Sequence, residues 1–248
     1  MTSIISKAFA TLAIAVSLIA PTQAALIDIE LSLVIDVSGS VDTTEYNLQM
    51  DGYANAFRNS SVISNIENST HGIAVNAIFF ASNFYTTSLD AFTVLKSEAD
   101  ALAFANLLSN FVRPGSGGTS IYSGVNRAVD LLLNNGLDAT KGTIIDVSGD
   151  GLSSASLDQA ARDNAVNNGM TINGIAIGGT NIANYFSNNV IGGNGAFLIE
   201  ASDFNAFQTG IIEKLRTETQ TVPEPPSFVF MLIASISLYL RRRISSKV

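Results

Sequence analysis

Apolar runs of strand length take turns with helical periodicities along the middle of this sequence, and few architectures accept that order. Leu31 to Val37 is a continuous, partly β-branched apolar run, as a strand buried on both faces requires. A Ser/Gly turn follows. Tyr46, Met50, Tyr53, Ala54 and Phe57 then recur at helical spacing. Gly72 to Ala81 reads as a second strand. Phe84 to Thr87 and Ala91 to Leu95 read as short extended pieces, a candidate hairpin, before an Ala- and Leu-rich helix over Ser97 to Phe111. Ile121, Val125, Ala128, Val129 and Leu132 mark another amphipathic helix, stopped near Gly136. Thr143 to Val147 is a strand, Leu157 to Asn168 a helix closed by Gly169, and Met170 to Ile177 a further strand. A weaker helix over Ile182 to Val190 and a short strand over Ala196 to Ile199 follow. The last helix carries Phe204, Phe207, Ile211 and Leu215, with Ser202 or Asp203 as its cap. The pattern predicts an α/β fold, a doubly wound, mostly parallel sheet with helices on both faces. Ligands of such sheets bind beyond the C-terminal strand ends. The loops after Val37 and after Val147 are therefore the places to look for a site.

The two ends of the 248-residue chain read as processing segments. Residues 1–24 have a signal-peptide layout: Lys7, an apolar stretch from Phe9 to Ala20, Pro21, and small residues up to Ala24. The folded domain is expected over 25–217. A linker over 218–226 contains Val222-Pro223-Glu224-Pro225-Pro226, which is stiff and non-helical. In 227–248 an uncharged apolar run, Ser227 to Leu240, ends in Arg241-Arg242-Arg243. As a helix this run spans about 21 Å, short of the roughly 30 Å hydrocarbon core. Val-Pro-Glu-Pro, an apolar segment and a terminal Arg cluster resemble the PEP-CTERM sorting signal of Gram-negative bacteria. That resemblance implies an exosortase-like processing enzyme as a partner and transient membrane contact through the C-terminal segment. It also implies delivery to the cell envelope or release into the extracellular matrix.

Composition removes several chemistries. The chain has no Cys and one His, so Cys-based zinc or iron–sulfur sites, multi-His metal sites and Cys nucleophiles are excluded. Residues 25–222 hold 8 Lys+Arg against 20 Asp+Glu, which argues against a nucleic-acid partner. No Gly-x-Ser-x-Gly elbow is present. Gly115-Ser116-Gly117-Gly118-Thr119-Ser120 lacks the Lys of a phosphate loop. His71 precedes a strand in a polar stretch, as a solvated side chain does. The inventory of acids, bases and nucleophiles is too thin for an enzyme.

What remains is a set of oxygen donors at strand ends. Asp36-Val37-Ser38-Gly39-Ser40 carries oxygen on alternate residues, with Gly39 permitting a tight turn. Such donors suit Mg²⁺, or Mn²⁺ and Ca²⁺. Thr119 lies at the start of a helix, either as its N-cap or with its hydroxyl on an ion. Asp150-Gly151 follows the strand Thr143 to Val147. The segment Ile145-Asp146-Val147-Ser148-Gly149 echoes Ile35 to Gly39 and offers Asp146 as a rival to Asp150. Asp150 is favoured because a loop residue reaches an ion more readily than a strand residue.

In order and type these three pieces resemble the von Willebrand factor A (vWA) domain and its metal-ion-dependent adhesion site, over roughly residues 28–217. Leu31 to Arg58 is most similar to a branch of exported bacterial A-domain proteins. The resemblance places the family's ligands on Asp36, Ser38, Ser40, Thr119 and Asp150. It implies hydroxyl coordination by Ser38, Ser40 and Thr119, with Asp36 and Asp150 direct or through water. It further implies an open position for an acidic group of a protein or polysaccharide-associated partner. The function expected is adhesion rather than catalysis. The competing expectation is a structural matrix component with a vestigial metal site.

Overall fold

A computed structural model describes residues 24–220. The signal-peptide and sorting-signal readings fall outside the described residues. Among the described residues no helix is long and apolar enough to cross a membrane.

Strands β1 (Ala25–Asp36), β2 (Ile73–Phe80), β3 (Phe84–Tyr85), β4 (Thr93–Leu95), β5 (Leu137–Gly149), β6 (Thr171–Ile177) and β7 (Leu198–Ala201) form one sheet. Its order is β3-β2-β1-β5-β6-β7, with β4 also on β2. β1, β2, β5, β6 and β7 pair in parallel. The helices are α1 (Thr43–Phe57), α2 (Ser60–Glu67), α3 (Glu98–Ser109), α4 (Ile121–Asn134), α5 (Ala155–Asn167), α6 (Thr180–Asn189) and α7 (Phe204–Glu218). The doubly wound α/β sheet is as the alternation predicts.

Two cores sandwich the sheet. On one face Leu31, Leu33 and Ile35 of β1 pack with Tyr46, Met50, Tyr53 and Phe57 of α1 and Phe207, Ile211 and Leu215 of α7. On the other, Val34, Ile145 and Val147 pack with Ile121, Val125 and Val129 of α4 and Phe186 of α6. Alternate strand residues thus serve opposite faces, which is why β1 reads as an unbroken apolar run. The chain leaves β1 toward β2 and leaves β5 toward β6, in opposite directions. The crevice between the C-terminal ends of β1 and β5 is therefore the switch point.

α4 reaches that crevice because it packs very close to the sheet. A Cβ at Gly124 would lie 2.6 Å from Val34 Cγ1 and 3.0 Å from Phe80 Cδ1. Gly124→Ala should therefore destabilise the protein by about 1–3 kcal/mol through overpacking. Urea denaturation checks this, and an unchanged midpoint would refute the close contact.

Several expectations need correction. β3 and β4 do not form a hairpin with each other. Each pairs antiparallel with β2, and a 3-10 turn over Ser88–Asp90 joins them. Helix α2 is not apparent in the sequence pattern. It is eight residues long, capped by Asn59, and buries Val62, Ile63 and Ile66. β5 runs well beyond Thr143 to Val147 at both ends, because β1 extends to Ala25 and pairs with Leu137 onward. Asp203, rather than Ser202, caps the last helix through the N–H groups of Asn205 and Ala206. That helix continues to Glu218, whose side chain is buried. His71 is not simply solvated, since its Nδ1 lies 2.8 Å from Oδ1 of the buried Asp28.

Candidate metal centre

The turn after β1 is shaped from inside and outside. Ser38 N–H donates to Asp36 Oδ1 at 2.7 Å, which folds the backbone over its own carboxylate. Gly39 N–H donates to the Gly117 carbonyl at 2.7 Å, bringing the loop before α4 onto this turn. Arg113 donates to the carbonyls of Val37 and Ser38 at 2.7 and 2.8 Å. Gln49 of α1 donates to the Asp36 carbonyl at 2.9 Å and accepts from Ser148 of β5 at 3.2 Å, which ties β1 to β5 beneath the crevice.

On this frame the expected donors converge. Ser38 Oγ and Ser40 Oγ are 3.0 Å apart, and Ser40 Oγ donates to Asp150 Oδ1 at 2.6 Å. A Cβ at Gly149 would lie 2.9 Å from Asp36 Oδ2, so Asp36 packs against the residue before Asp150. A Cβ at Gly151 would lie 3.1 Å from Thr119 Oγ1, so Thr119 packs against the residue after it. The structure brings together all five residues: Asp36, Ser38, Ser40, Thr119 and Asp150. Thr119 is not the N-cap of α4. Ser120 holds that position, and it makes no side-chain cap bond.

Asp146 is elsewhere. Its carboxylate is buried and pairs with Lys214 of α7 at 2.6 Å, on the face shared by α1 and α7. Four strand residues, about 13 Å, separate it from Asp150. Sequence reasoning missed Gln49, Arg113, Ser148 and Lys214. A glutamine among the core-facing positions of α1 was the one available signal, since a buried amide needs partners.

The electrostatics suit a cation. Asp36 is fully buried, and its Oδ2 has no hydrogen-bond partner. Burial pushes its pKa up to about 7 against the opposing hydrogen bonding to Ser38, and the nearby Asp150 charge adds to the rise. The nearby cation, Arg113, is committed to backbone carbonyls. An orphaned carboxylate oxygen beside two serines and a second carboxylate is the donor set that a hard, oxygen-seeking divalent cation takes. Among the described residues no group of three or more His, Cys, Asp or Glu is placed to hold a metal ion, so an ion at this crevice depends on the Ser and Thr hydroxyls beside its two carboxylates.

The model of the family described as "Protein of unknown function (DUF1194)" matches residues 26–223. The chain belongs to this family. No curated protein matches its sequence. Its fold is that of solved von Willebrand A-type domains. The pilus adhesin SpaC of Lactobacillus rhamnosus GG superposes with a TM-score of 0.58 at 12% identity, covering 77% of this chain and 30% of that one. Mussel proximal thread matrix protein 1, with a zinc-occupied MIDAS motif, gives 0.58 at 15% identity, covering 77% and 46%. The vWF domain of the type V pilus tip protein Mfa5 of Porphyromonas gingivalis gives 0.56 at 10% identity, covering 80% and 98%. The DUF1194 chain thus spans less than half the length of the first two and matches the third as a whole domain.

Proposed function

We propose that this DUF1194 protein is an exported binding module. It holds one divalent cation, Mg²⁺ or a similar hard ion, through Asp36, Ser38, Ser40, Thr119 and Asp150. The observation that carries the reading is the buried, unpartnered Asp36 Oδ2 in a string of oxygen donors at the switch-point crevice. When bound, such an ion supplies an electrophilic position for one carboxylate oxygen of a partner. The chain's own part is to set the donors. Asp36 gives charge from below, Ser38 and Ser40 give neutral oxygens from the turn, and Asp150 closes the far side.

The partner is an acidic group of a protein or of a polysaccharide-associated molecule. Adhesins and a matrix protein among the structural neighbours support a surface or extracellular role. The signal-peptide layout and the PEP-CTERM-like tail support export, processing by an exosortase-like enzyme, and delivery to the envelope or matrix.

Calorimetric titration with Mg²⁺ and Mn²⁺ tests the site. Wild type is expected to bind one ion and Asp36→Ala at least tenfold more weakly, because a directly charged ligand is lost. Equal binding by the two proteins would remove the assignment. Capture of partners from envelope and matrix extract, with and without chelator, tests the adhesive role. A partner set unchanged by chelator would refute it.

A further inference from the structure

Helix α4 begins beside the proposed ion and has no cap of its own. The first-turn N–H groups find acceptors across the crevice. Ile121 N–H donates to Ser153 Oγ at 3.2 Å, and Tyr122 N–H donates to Asp158 Oδ1 at 2.9 Å. Ser153 Oγ donates in turn to the same Asp158 Oδ1 at 3.1 Å. The Tyr185 hydroxyl donates to Asp158 Oδ2 at 2.6 Å. Asp158 is only 2% exposed. Its two oxygens hold three donors from three separate stretches: the first turn of α4, the loop after β5, and α6.

The positions of those donors matter more than their number. Tyr122 is three residues beyond Thr119, and Ser153 is three residues beyond Asp150. A helix start with free N–H groups ordinarily recruits the nearest side-chain oxygen, and Thr119 and Ser120 are the nearest. The carboxylate of Asp158 takes that role and is favoured there by the helix dipole. Thr119 is left with its hydroxyl against Gly151, facing the acidic loop.

We propose that Asp158 is the positioning residue of the metal centre. By capping α4 from α5 it frees the Thr119 hydroxyl for the ion and fixes the separation of Thr119 from Asp150. This rests on the divalent-site reading above.

Mn²⁺ titration of the protein, with melting in EDTA as the control, tests it. Asp158→Ala should weaken Mn²⁺ by about tenfold or more, the range seen when groups behind metal ligands are removed. Asp158→Asn should restore affinity to within about threefold, since its oxygen still accepts from Tyr122 and Ser153 and its amide donates to the Tyr185 hydroxyl oxygen. A purely structural Asp158 would lower melting in EDTA and leave the affinity of the folded protein unchanged. Should Asp158→Ala not fold, Ser153→Ala combined with Tyr185→Phe removes two of the three donors, with an expected loss of about fivefold. Affinity within about twofold of wild type in folded Asp158→Ala or, where that variant does not fold, in the Ser153→Ala/Tyr185→Phe protein overturns the proposal. So does an Asn variant as weak as the Ala variant, because charge and not placement would then carry the effect. Wild type that binds no Mn²⁺ overturns the metal-site reading itself.

Discussion

Lys214→Met should destabilise the folded domain by about 3–5 kcal/mol at pH 8, a large share of the roughly 5–15 kcal/mol that keeps a domain folded. The Lys214 side chain is fully buried under α7. Its ammonium pairs with Asp146 Oδ1 at 2.6 Å and also with Glu218 one turn along the helix. Asn173 donates to Glu218 Oε1 at 2.8 Å. Both carboxylates are buried, so one ammonium serves two anions. Burial and the Asp146 charge push Glu218 up to about 7, and burial pushes Asp146 up as well. Removing the ammonium leaves two like charges with no counter-ion in a low-dielectric interior. The pH dependence follows in sign. A Glu218 carboxyl that holds its proton to about 7 when folded, but releases it near 4.5 when unfolded, contributes stability that declines as pH rises across that window. In Lys214→Met both carboxyls take up protons at low pH, so the deficit should be smaller at pH 5 than at pH 8. Urea denaturation at the two pH values measures it. A loss under 1 kcal/mol, or a larger loss at pH 5, would show that this ammonium does not neutralise the pair.

The same lysine marks the limit of what the sequence made legible. Lys214 and Glu218 are four apart on an amphipathic helix, the spacing of an ordinary solvated pair, and nothing local says that both are buried. Their burial depends on Asp146, which lies far away in sequence on a central strand. The ends of β1 and β5 were readable for the opposite reason. Local composition dictates them: an apolar run closed by a Ser/Gly turn in one case, and by Gly149-Asp150-Gly151 in the other. Ser38, Ser40 and Asp150 could therefore be placed at strand ends before any contact was known. The supports of that site were not readable. Gln49, Arg113, Ser153 and Asp158 reach the site's other elements through hydrogen bonds to residues distant in sequence. The early half of β5 was missed because Asp138, Thr140, Lys141 and Gly142 break the apolar pattern, and their strand conformation comes from pairing with β1. Helix α2 was missed because eight residues give too few periods to stand out.

Asp36→Asn should separate binding from stability in opposite directions. Without metal, the variant should be more stable than wild type by on the order of 1–3 kcal/mol at pH 8, because a buried, unpartnered anionic oxygen is replaced by a neutral group of the same shape. The bond from Ser38 N–H to Oδ1 survives the change, so the turn after β1 keeps its form. The new amide also relieves the repulsion between Asp36 and Asp150. Divalent binding should fall sharply, since the one carboxylate buried at the base of the site is gone. With Mg²⁺ present at about a thousand times its dissociation constant, wild type gains about 4.1 kcal/mol by linkage and the variant gains little. The order of stability should therefore invert between EDTA and saturating Mg²⁺. Paired urea titrations in the two buffers give the answer directly. A variant less stable than wild type in EDTA would mean that the Asp36 carboxylate is satisfied within the metal-free fold, and that its orphaned oxygen is no reason to place an ion there.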